Sequence, residues 1–182
     1  MNASSGATVP VPAASEGALS ALAALLGQLR DVIVLLPVHC YRAQPAPRVS
    51  GSIGAHVRHT LDHVSALLAT IEGEELSYEH RKRGTRAESD SFAALIAIER
   101  LLARIEALEN VSLDRPIAFA TVFDATWPAT WVRTTLAREV AFVIQHTIHH
   151  CAIIAVLLDA QGVAVPYGFG VAPSTLRARL AG

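Results

Sequence analysis

The sequence predicts an all-α fold, a four-helix bundle with an irregular excursion or short hairpin between its third and fourth helices. Three observations carry this. Four segments of about twenty residues repeat apolar side chains at spacings of three and four, the period of one helical face. Helices of that size are each ~30 Å long, matched as bundle packing requires. Hydrophobic residues make up 52% of the 182-residue chain and charged residues 17%, enough for one ordinary domain to bury a sizeable core.

The first fifteen residues are rich in Ala, Ser, Pro and Gly and lack the basic start of a secretory signal. They are expected to form a flexible segment ahead of one domain spanning 16–182. The first helix opens at Ser15 and Glu16, with a stripe of Leu19, Leu22, Leu26, Leu29, Ile33 and Leu36. Pro37 ends or kinks it. The run from Ala18 to Val38 has the length of a membrane span, but Gln28, Arg30 and Asp31 fall in its middle. Charge there is costly in hydrocarbon, so a buried amphipathic helix is the better reading.

The second helix runs from Ser52 to about Ile71, with Ile53, Val57, Leu61, Val64, Leu68 and Ile71 on one face and Gly73 as its stop. Glu72 to Glu88 reads as a charged connection. Ser89 or Ser91 caps the third helix, whose apolar face is Phe92, Leu95, Ile98, Leu102, Ile105 and Leu108. From Val111 to Arg133 the helical period disappears. Pro116, Pro128 and a mixture of Thr, Phe, Val and Trp suit a short hairpin. Thr134 or Thr135 opens the fourth helix, which runs to about Ala160 with Gly162 just past its end. The tail carries Pro166, Gly168, Gly170 and Pro173, then a short helix over Ser174 to Leu180.

Fifteen basic residues against sixteen acidic ones leave a net charge of −1. That balance gives no electrostatic footprint for nucleic acid or an anionic membrane. Cys40 and Cys151 are the only cysteines. Two cannot make a disulfide framework, so a reduced, cytoplasmic setting is expected.

The eight histidines cluster. His146 and His150 stand at i and i+4 on the apolar side of the fourth helix, whereas His149 falls near its polar border. Arg138, Gln145 and Asp159 mark the polar arc. Two inward imidazoles one turn apart are half of a metal site, because divalent transition metals favour neutral imidazole nitrogen. Glu139 projects nearly the same way and is a candidate acceptor behind a ligand. The second helix offers His56, His59 and His63 within one arc of roughly 60°. The helical wheel does not choose among them, and burial alone favours His56 slightly. His39, His80 and His149 read as ordinary histidines, and Cys151 as packing. There is no His-Glu-x-x-His, no Glu-x-x-His, no phosphate loop, no nucleophile elbow and no Cys-x-x-Cys.

Four stretches carry a family resemblance. They are Ser52-Ile-Gly-Ala-His-Val-Arg-His-Thr-Leu-Asp-His63, Tyr78-x-x-Arg81-x-Arg83, Arg138-Glu139-Val-Ala-Phe-Val-x-x-His-Thr-Ile-His-His150 and Phe169-Gly-Val-Ala-Pro-Ser-Thr175. In this order, over roughly residues 16 to 176, the chain resembles the DinB-like (DinB/YfiT) superfamily. The resemblance implies an up-down-down-up bundle that binds one divalent transition metal, zinc, nickel or iron, through three histidines. Carried over, these are His59, His146 and His150. His59 is chosen by the motif alone. Arg81 and Arg83 become candidates beside the site, as do His56 and His63.

Members of known chemistry include thiol S-transferases, so the resemblance implies a metal-dependent transferase or hydrolase. A small-molecule substrate and a low-molecular-weight thiol cosubstrate are its expected partners, together with a second copy of the chain in a homodimer. A non-catalytic, metal-stabilised bundle serving binding or stress response is the alternative. The tail from Tyr167 to Pro173, with Phe169, is expected to cover part of the pocket and the Tyr78 to Arg86 loop to supply charge at its mouth, Arg81 or Arg83 steering anions inward.

Overall fold

The computed structural model describes residues 14–44, 49–79, 85–109 and 111–181. It is mostly helical, with one small hairpin. In chain order the elements are α1 (Ala14–Leu35), α2 (Val38–Arg42), α3 (Ile53–Ile71), α4 (Arg86–Ser89), α5 (Ser91–Glu106), β1 (Pro116–Thr121), β2 (Thr130–Thr135), α6 (Leu136–Asp159) and α7 (Pro173–Ala181). Most of the expected N-terminal segment, residues 1–13, lies outside the described residues. So do His80, Arg81 and Arg83.

Local chemistry sets the helix ends. Pro37, extended at φ −57° and ψ 133°, separates α1 from α2 because its ring removes the amide that would continue the ladder. The Ser52 hydroxyl accepts from Ala55 N and starts α3. Thr135 does the same for α6, accepting from Arg138 N. The cap of α5 is Asp90, not Ser89 or Ser91. Its carboxylate accepts from the amides of Phe92 and Ala93, and its negative charge suits the positive end of the helix dipole.

The stripe read along the first helix is buried throughout, and that of α3 is buried as far as Leu68. The face of α5 keeps Ile98 and Ile105 of the expected stripe but is turned toward Ala94 and Leu101. Phe92 is 69% exposed, whereas Ala94, Ile98, Leu101 and Ile105 are buried. Large side chains set the expected phase, but small Ala94 occupies the centre of the packed face. Leu95, Leu102 and Leu108 flank it as partly buried neighbours.

Four long helices exchange faces in a closed ring: α1 and α3 each pack against both α5 and α6. Directions follow from paired residues. Arg58 meets Glu88 at 3.1 Å and Arg104 meets Glu72 at 2.8 Å, so α3 and α5 run parallel. His56 faces His150 and His59 faces His146, so α3 and α6 run antiparallel. α1 and α6 are long and apolar enough to cross a membrane by length and composition. Both turn apolar faces into the core, with Leu22, Leu26, Leu29, Val143, Ile154 and Leu157 fully buried.

The excursion is an antiparallel hairpin whose register runs from Pro116 opposite Thr135 to Thr121 opposite Thr130. Proline is tolerated at the first position of an edge strand. Phe119 also bridges to Leu76 in the loop after α3, which brings that loop and the hairpin to one end of the α3–α6 seam. The tail docks on α6 beside Cys151 and Ala152. Phe169 is buried, and Gly170 sits at φ +72° where a Cβ would lie 2.5 Å from the Ala152 amide nitrogen. Only glycine allows that approach.

Candidate metal centre

The seam between α3 and α6 carries a row of rings. His56, His59 and His63 recur at three and four residues along α3, while His146 and His150 sit one turn apart on α6. Because the helices are antiparallel, the sets meet in opposite order. His56 Nδ1 lies 3.0 Å from His150 Nδ1, and His59 Nε2 lies 3.0 Å from His146 Nε2. His63 packs on His146 with ring centroids 4.1 Å apart. On its other side it stacks on Tyr78 at 5.1 Å, with 15° between the planes.

His59, His146 and His150 each present a ring nitrogen, all within 4.8 Å of one another. Two nitrogens bound to one ion at about 2.0–2.1 Å would lie about 3.0–3.4 Å apart. The His59–His146 separation fits this. The donor set is imidazole only, which suits zinc, nickel or iron and not the oxygen-seeking magnesium or calcium. Burial, helped by His146, His56, His149 and His63, pushes the pKa of His150 down to about 3. It is therefore neutral near neutral pH, as a ligand must be. His56 is also lowered, chiefly by burial.

One neighbour differs from its expected place. Among the α3 histidines the most buried is His63, at 6% exposure, not His56. The wheel compared α3 with water alone, whereas Tyr78 and Phe142 close over His63 from outside the helix. His63 Nδ1 donates to the carbonyl of His59 one turn earlier. Glu139 is 4% exposed and is held by hydroxyls: Tyr78 donates to Oε2 at 3.0 Å and Thr134 to Oε1 at 2.9 Å. Burial, followed by the Glu139 charge, pushes the Tyr78 phenol above its ordinary pKa. His149 is exposed, and Cys151 is buried with its thiol raised by burial to about 12.

A cavity of about 370 Å³ adjoins the row. Its walls include His63, Tyr78, Phe119 and Phe142, with Glu139 and Arg138 at the start of α6. No tail residue lines it. Of the charged loop, Tyr78 and Glu79 reach it. Sequence reasoning left Arg138 on the polar arc and gave Phe142 no role. Their signal was present: Arg138, Phe142, His146 and His150 recur every four residues, one row along the helix.

A model of the DinB superfamily matches residues 6–154. The chain is also similar to FK506-binding protein 5 of Rhizopus delemar, 35% identical over 103 residues. That match covers 56% of this chain and 27% of the relative, so the chain spans about a quarter of that protein's length. With the family model covering most of its residues, the chain belongs to the DinB superfamily.

Proposed function

We propose that this protein is a metal-dependent enzyme of the thiol S-transferase or hydrolase type, with one divalent transition metal held by His59, His146 and His150. The observation that carries the reading is the convergence of these three imidazoles on a row whose next member, His63, lines a cavity. Three protein ligands leave coordination positions open, unlike a closed structural site. When bound, the ion supplies Lewis acidity that lowers the pKa of a thiol or a water.

The chain's own groups set the surroundings. Tyr78, Phe119 and Phe142 offer flat apolar walls to a small molecule, and exposed Arg138 attracts an anionic partner at the mouth. Cys40 and Cys151 are both buried, so the thiol comes from a cosubstrate. The ring of helix contacts, with α3 parallel to α5 and antiparallel to α6, supports an up-down-down-up four-helix bundle. The free, buried cysteines suit a reducing cytoplasm. Exposed Val34, Leu35 and Val38 support a homodimer.

The test offers the zinc-, nickel- or iron-loaded protein a low-molecular-weight thiol and a chromogenic aryl halide. Thiol-dependent halide release that stops on chelation and returns with metal supports the transferase reading. Metal-tight binding with no turnover of such electrophiles or of ester substrates would favour a non-catalytic bundle.

A further inference from the structure

His56 is absent from the converging group of three, yet its ring bridges a backbone carbonyl and a member of that group. Its Nε2 lies 3.0 Å from the Ser50 carbonyl oxygen, and its Nδ1 lies 3.0 Å from Nδ1 of His150. A carbonyl only accepts, so Nε2 of His56 carries the proton. In a neutral imidazole the other nitrogen is then an acceptor. His150 must therefore donate from Nδ1, which leaves the lone pair of a neutral His150 on Nε2.

We propose that His56 is a positioning residue for the metal centre: it relays the Ser50 carbonyl to His150 and fixes the tautomer in which Nε2 binds the ion. Metal-binding histidines commonly present their second nitrogen to a carbonyl or carboxylate that sets tautomer and ring angle. Here a second imidazole takes that place, because the carbonyl lies one ring away from His150. Ser50 is able to serve because it lies just before Ser52, the residue whose hydroxyl caps α3. The start of the helix thus fixes the carbonyl, the carbonyl orients His56, and His56 orients His150. The proposal rests on His150 being a ligand, and its test separates the two ideas.

The experiment has two arms. In the first, nitrogen NMR of histidine-labelled, metal-free wild-type protein reads the His150 tautomer directly. The relay predicts Nδ1–H, and a dominant Nε2–H form overturns it. In the second, zinc affinity is measured by competition with a chromogenic chelator for wild type, His56→Phe and His56→Gln. Loss of the acceptor in His56→Phe weakens zinc by about 10–100-fold. His56→Gln, whose amide can both accept from His150 and donate to Ser50, stays within a few-fold of wild type. Wild-type affinity in His56→Phe contradicts the relay, as does a Gln variant that falls as far as the Phe one. If the wild type itself takes up no zinc, the metal reading fails and the NMR arm alone decides the relay.

Discussion

The hydroxyl of Tyr78 donates to Oε2 of Glu139 across 3.0 Å, joining the loop after α3 to the first turn of α6. Thr134 of β2 holds the other oxygen at 2.9 Å. One buried carboxylate therefore ties together the loop, the hairpin and the helix that line the cavity. Leaving a buried acceptor short of a donor costs about 1–3 kcal/mol. Tyr78→Phe is expected to lower stability by that amount in urea unfolding while retaining the metal. A variant as stable as wild type would show that this link does not hold the end of the seam together.

Thr147 is fully buried, and its hydroxyl has no hydrogen-bond partner among the described residues. An unpaired buried hydroxyl is a net cost. Thr147→Val, nearly equal in shape, should therefore raise stability by about 1 kcal/mol, read as a higher Tm at equal metal content. A lower Tm would mean the hydroxyl is satisfied by water.

Asp90 caps α5 through two amides. Asp90→Ala is expected to cost about 0.5–2 kcal/mol, whereas Ser89→Ala should change stability by less than about 0.5 kcal/mol. The reverse order in denaturant midpoints would restore Ser89 as the cap.

Acid should weaken the metal-free fold through His150. Its pKa falls from the ordinary 6.5 to about 3 on folding. Between those values the unfolded chain binds a proton that the folded chain refuses, so stability falls as pH drops through this window. Above the window both states are neutral and the residue adds no slope. His150→Gln should flatten this part of the stability profile measured by denaturant at a series of pH values. A wild type that loses no more stability than the variant on acidification would contradict the assignment.

Much of the fold was legible because helical periodicity, caps and stops are local. The stripe of Leu22, Leu26 and Leu29 and the opening of α6 at Thr134 or Thr135 follow from spacing and side-chain chemistry alone. Along α5, Ile98 and Ile105 were legible as core, but the start of its face was not. Bulk placed Phe92 inward, yet the partner helices select Ala94, and nothing local to α5 encodes that choice. At the site, the i, i+4 spacing of His146 and His150 gave half of the cluster. The other half came only from the family motif that selects His59, because the helical pattern does not encode the register of α3 against α6, a long-range property that pairs His59 with His146 and His56 with His150. The burial of His63 by Tyr78 and Phe142 depends on a loop and a second helix, so a wheel drawn for α3 missed it.

The most direct test of the central claim is elemental analysis of protein purified without an affinity tag, repeated on single histidine variants. We expect one divalent transition metal per chain in wild type and in His149→Ala. His59→Ala, His146→Ala and His150→Ala should each lose most of it while remaining folded by circular dichroism. Metal retained by His150→Ala but lost from His149→Ala would contradict the account.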